Sequence, residues 1–212
     1  MHPTAQSYLR EVGAGQQTAG SSYIELAGNS VYSRRIDLRA DHPAGYRDAL
    51  AHEMTHVVVA ERFAERQIPR WADEGVAVLA DSASKQRAHL YDLQQAYRRG
   101  TTFRLVELFA IQEYPPAERQ ATFYGQSVSL AKFLLERGTS EQFMLFVEVA
   151  TNRGYDIAAR EVYQLEGLGQ LEQQWRAHVA SPKPVATAAT ADPLLSKRSL
   201  LSAEQQVAFV KP

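Results

Sequence analysis

A chain of 212 residues, 45% hydrophobic and 22% charged, has the length and composition of an ordinary globular protein, with one domain and a real core or two small ones. Its formal net charge of -1 gives no electrostatic reason to expect nucleic acid or an anionic membrane surface, and no apolar run reaches the roughly 18 residues of a membrane span. The absence of cysteine excludes disulfides and thiolate metal sites, and the opening MHPTAQSYLREVG has no secretory signal core, so a cytoplasmic protein is the default expectation.

Residues 4–12 suit a short helix and GAGQQTAGSS a loop. SSYIEL and VYSRRIDLR read as strands joined by an AGNS turn, with Ile36 and Leu38 on one face of the second strand and Arg35, Asp37 and Arg39 on the other. A helix should open near HPAGYRD, where Pro43 is tolerated and Asp48 suits the positive end of the dipole, and run to about Glu65. Leu50, Met54, Val57, Val58 and Glu61 mark its expected inward stripe, apolar until the last position. Pro69 breaks the chain before a second helix carrying WADEGVAVLADS.

A polar helix then covers SKQRAHLYDLQQAYRRG, and TTFRLVELFAI reads as a short strand running into one helical turn, stopped by Pro115 and Pro116. The remainder is helical. FYGQSVSLAKFLLERG ends near Gly138, Ser140 can cap SEQFMLFVEVATN, Asp156 can cap IAAREVYQL, and Leu168, Leu171, Trp175 and Val179 stripe a last helix. Trp71, Trp175, Phe143, Phe146 and Val147 read as core. Residues 181–212 shift to Pro, Ala, Thr and Ser and read as a low-complexity or disordered tail, with one weak helical turn near AEQQVAF.

The chemistry concentrates in ALAHEMTHVV. Buried imidazoles and carboxylates need partners. On a helix His52 and His56, four apart, share one face and can reach a single ion, while Glu53 sits one step round, placed to take a proton from a water at that ion. This is the H-E-x-x-H pattern of a zinc hydrolase. A class with a third histidine six residues on, and a glycine between, is excluded by Val59 and Arg62. Glu74, beyond the helix break, is the better third ligand, and spacing leaves its neighbour Asp73 open. Trp71 offers a large apolar anchor, and Gly75 a point where two helices can approach closely.

HEMTH followed by PRWADEGVAV resembles the gluzincin metallopeptidases, and specifically the peptidase MA-like domains, with FYGQSVSLAKFLLERG and GQLEQQWRAHV in the places of that family's later segments. The resemblance spans about residues 45–180. It implies an α+β, zincin-like fold: a small antiparallel sheet, the HExxH helix and the Glu-ligand helix, then a helical C-terminal half. It implies a domain over 21–180, preceded by a segment 1–20 so short that either the sheet is small or the N-terminus is truncated. It further implies one zinc ion on His52, His56 and Glu74, Glu53 as general base, and Tyr124 as hydrogen-bond donor to the developing oxyanion. The substrate would be a peptide or protein pairing with the strand before the HExxH helix, where Arg34 and Arg35 could meet acidic groups. The family leans toward exported or envelope proteins.

The rival reading is a catalytically weak module that binds zinc and a peptide or protein partner; a second is a helical interaction domain with incidental histidines. His42, His89 and His178 are isolated and read as surface residues, and His2 belongs to a mobile terminus. Asp81 is the nearest acid able to support the histidines from behind.

Overall fold

The computed structural model describes residues 1–13, 19–41, 45–181 and 207–211. It is mostly helical with a small sheet, as an α+β chain. After α1 (Ala5–Val12), capped by the Thr4 side chain, β1 (Gly20–Ala27) and β2 (Ser30–Leu38) form an antiparallel hairpin. Gly28, at φ 59°, turns it, and a bulge after Glu25 throws Tyr32 out into solvent. His2 is held rather than loose: its backbone bridges to Arg39 and its ring meets Asp37 at 2.9 Å.

The expected antiparallel pair is present, and a third strand joins it. β3 (Val207–Lys211), within the stretch expected as a tail, pairs parallel with Ser21–Glu25, so the order is β2-β1-β3. A bare strand edge offers unpaired N–H and C=O groups, and VAFV is rich in β-prone residues. Strand therefore replaces the expected helical turn at 207–209; the rest of that AEQQVAF stretch, like His42 and Pro43, lies outside the described residues.

α2 (Gly45–Arg62) packs under the hairpin and against α3 (Arg70–Leu79). Its inward face is Ala49, His52, Glu53, His56 and Val59, continued by Phe63 beyond its end. The expected apolar stripe is turned aside instead: Met54 is 50% and Val58 68% exposed, while Leu50 and Val57 are half-buried at its edge. The reason is geometric. Helix α2 has one face toward β1 and α3, and turning the aliphatic stripe inward would eject both histidines.

α4 (Ala83–Arg99) and the single turn α5 (Leu105–Phe109) lead to α6 (Ala117–Leu135), which is buried nearly all round and sits at the centre of the helical half. Two glycines let its neighbours close on it. A Cβ at Gly75 of α3 would lie 2.7 Å from the Ser127 carbonyl oxygen, and one at Gly125 would collide with the His89 carbonyl of α4. The Gly75 approach is therefore to α6, not to the helix carrying the histidines.

α7 (Ser140–Arg153), α8 (Tyr155–Tyr163) and α9 (Leu168–Ala180) complete the core, with Phe143, Phe146, Val147, Leu171 and Trp175 fully buried. The Trp71 indole donates to Tyr155 Oη at 2.8 Å and the Trp175 indole to Ser129 Oγ at 3.2 Å, which satisfies the polar handle of each buried ring. Thr139, not Ser140, caps α7, and Asp156 accepts from Leu168 N at the start of α9 rather than capping its own helix.

Candidate metal centre

The HEMTH turn lies mid-helix in α2, so His52 and His56 lie one turn apart and meet edge to face with ring centroids separated by 4.9 Å. Residues 63–69 reverse the chain, and Pro69 opens α3 so that Glu74 faces both rings. His52, His56 and Glu74 each offer a ligand atom, and these atoms lie within 4.8 Å of one another. All three residues, and Glu53, are at most 1% exposed.

Each imidazole has an acid behind it. His56 Nδ1 hydrogen-bonds Asp73 Oδ1 at 2.7 Å, while His52 Nδ1 lies, without hydrogen-bond geometry, 3.3 Å from Asp81 Oδ1, an oxygen that also pairs with Lys85 Nζ at 3.1 Å. Both Nε2 atoms are thereby left for the interior. Neither has a hydrogen-bond partner among the described residues, nor has Glu74 Oε2, which is 3.5 Å from His52 Nε2. Orphaned buried nitrogens and a carboxylate oxygen that converge are costly unless something joins them. Two imidazoles and one carboxylate, each imidazole backed by an acid, are the donor set a zinc ion takes in a site with one position left open. The residues present fit the ion.

Asp73 thus supports His56 rather than competing with Glu74, and Asp81 stands behind His52. Burial works against a charged His56, but the Asp73 carboxylate outweighs it and lifts the imidazole to about 10. His52 moves up as well: burial opposes, Asp81 and Glu74 prevail. Burial would raise Glu74, yet the nearby His52 ring, the charges of both imidazoles and the Tyr114 hydroxyl hold it down at about 2. A site that favours protons this strongly favours a cation.

Glu53 is pressed against the sheet: a Cβ on Gly20 would sit 3.0 Å from its Cγ. Burial pushes its carboxyl up, with His56, His52 and the buried Ser22 hydroxyl pulling the other way. Neither of its oxygens finds a donor at hydrogen-bond geometry among the described residues.

Tyr124 of α6 is buried in an aromatic cluster, 6.2 Å from the Tyr114 ring and 5.6 Å from that of His89. Burial, Glu74 and the neighbouring Tyr114 hydroxyl hold its proton on, well above the usual phenol range. His89 is therefore not an isolated surface residue; burial and then Lys85 depress it to about 4. His178 packs beside Phe133. Arg34 pairs with Glu61, and Arg35 with Glu11 and Asp37, so both sit on β2 in ion pairs, apart from the metal cluster.

The sequence reading missed Tyr114, whose hydroxyl donates to Glu74 Oε1. It lies in a loop, QEYPP, with no periodicity to mark it.

A sequence model of the Peptidase MA superfamily matches residues 27–181, most of the chain. The protein belongs to this superfamily. The match runs from the hairpin turn through α9, so this Peptidase MA chain carries its whole His-His-Glu cluster, with Glu53, inside the matched region. Neither the curated proteins nor the solved structures yield a match.

Proposed function

We propose that this Peptidase MA protein is a zinc-dependent peptidase acting on a peptide or protein substrate. The observation that carries the reading is the convergence of His52 Nε2, His56 Nε2 and Glu74 Oε2, all buried and unpartnered among the described residues, with the Glu53 carboxyl one helical step away. Zinc held in such a site lowers the pKa of water to about 7 and polarises a carbonyl.

The protein supplies the rest. Asp73 and Asp81 keep the two imidazoles turned with Nε2 inward. Glu53 takes the proton of the attacking water and returns it to the leaving nitrogen, so no covalent intermediate with the chain forms. Burial raises its basicity for that transfer. Tyr124, kept protonated, is the donor for charge that develops on the carbonyl oxygen. Because the four central side chains are sealed, a peptide enters only after neighbouring chain moves aside. No helix among the described residues is long and apolar enough to cross a membrane.

The test is Glu53→Gln, assayed on a mixed peptide library with and without chelator. The variant is expected to bind about one equivalent of zinc, as wild type does, and to lose cleavage. Equal cleavage by both proteins refutes the mechanism.

A further inference from the structure

The two oxygens of Glu74 are treated differently. Oε1 accepts the Tyr114 hydroxyl, while Oε2 has no hydrogen-bond partner among the described residues and faces His52 Nε2. Tyr114 is itself fixed. The Arg70 guanidinium lies 4.3 Å from its ring centroid, Phe123 meets it edge-on at 6.3 Å, and Tyr124 stacks at 6.2 Å. Arg70 also donates from Nε to the Gln112 carbonyl at 2.8 Å, so the first residue of the Glu74 helix ties down the loop that carries Tyr114. Pro115 and Pro116 follow at once and stiffen the backbone into α6.

We propose that Tyr114 is a positioning residue that restricts Glu74 to one-oxygen coordination. The inference rests on the metal-centre reading and deepens it. A carboxylate with both oxygens free can close on an ion with both and add a fifth ligand beside the water. A phenol that occupies Oε1 leaves one oxygen for the ion and holds the set, water included, at four. Tyr114 then has a different task from Tyr124: its proton is committed to the ligand and is not offered to substrate.

The test uses the full chain, stripped of metal and loaded with cobalt(II), whose visible absorption is strong in four-coordinate sites and weak in five-coordinate ones. Tyr114→Phe, which keeps the ring and removes the hydroxyl, is expected to lower the absorption by about twofold or more as Glu74 closes on the ion. Tyr155→Phe is the control, since that hydroxyl touches Trp71 on the same helix but not Glu74. An unchanged spectrum in Tyr114→Phe, or an equal loss in Tyr155→Phe, overturns the proposal and leaves the metal-centre reading in place. X-ray absorption on the zinc-loaded wild type decides even if the variant fails to fold. One carboxylate oxygen at about 2.0–2.2 Å supports the proposal; two overturn it. A wild type that binds neither cobalt nor zinc overturns the metal-centre reading and this proposal with it.

Discussion

Loading the metal-free protein with zinc at about pH 7.5 is expected to expel protons, and their number tests the electrostatics of the centre. His56, lifted to about 10, is protonated about 300 to 1 at that pH, and His52 is raised in the same direction. Glu74, at about 2, has no proton to give. Release therefore lies between one and two protons from the imidazoles. The magnitude follows from Asp73. At 2.7 Å and an effective dielectric of about 20 its attraction for a charged imidazole is about 6 kcal/mol. Moving His56 from 6.5 to about 10 corresponds to ~5 kcal/mol, the same order. Asp73→Asn keeps the shape and removes the charge, so only Glu74 and Glu53 still oppose burial and the imidazole binds its proton less tightly. Calorimetry in buffers of different ionisation heat should then find fewer protons released, and zinc affinity weakened roughly 10- to 100-fold. Zero proton release by the wild type would show that the imidazoles are already neutral and would refute the reasoning.

The same shift fixes a stability profile for the metal-free protein. A group raised from 6.5 to about 10 stabilises fully below the lower value and stops contributing as pH rises through the upper one, so thermal melts should weaken between about pH 6.5 and 10, and Asp73→Asn should flatten that slope. Zinc at about 1,000 times its dissociation constant should add about 4 kcal/mol of stability by mass action, read as a higher melting temperature that chelator reverses. Gly75→Ala should cost about 1–3 kcal/mol in urea unfolding, because the methyl group meets the Ser127 backbone of α6 at 2.7 Å and backbone cannot step aside. Val58→Lys on the outward face of α2 should change stability by less than about 0.5 kcal/mol, whereas Phe63→Ala on the inward side should cost about 3–5 kcal/mol; the reverse order would put the α2 faces the wrong way round.

Much of the centre was legible in the chain because its parts are local. His52, Glu53 and His56 take their relative positions from the pitch of one helix, and the Pro69 break announces a second helix that can return Glu74 to them. Trp71 and Trp175 identify themselves as anchors by size alone, and the hairpin by its turn residues. What tertiary structure alone decided are contacts across long separations. Asp73 reaches His56 over 17 positions and Tyr114 reaches Glu74 over 40, distances at which no periodicity connects two residues and only the packing of α3 against α2 and α6 does. The outward turn of Met54 and Val58 has the same origin. Hydrophobicity alone favours the aliphatic side of α2 inward, but one helix has one inward face, and here it is given to the residues that converge with Glu74 in the His-His-Glu cluster. β3, too, follows from an edge left bare by β1, a property of the folded sheet rather than of residues 207–211.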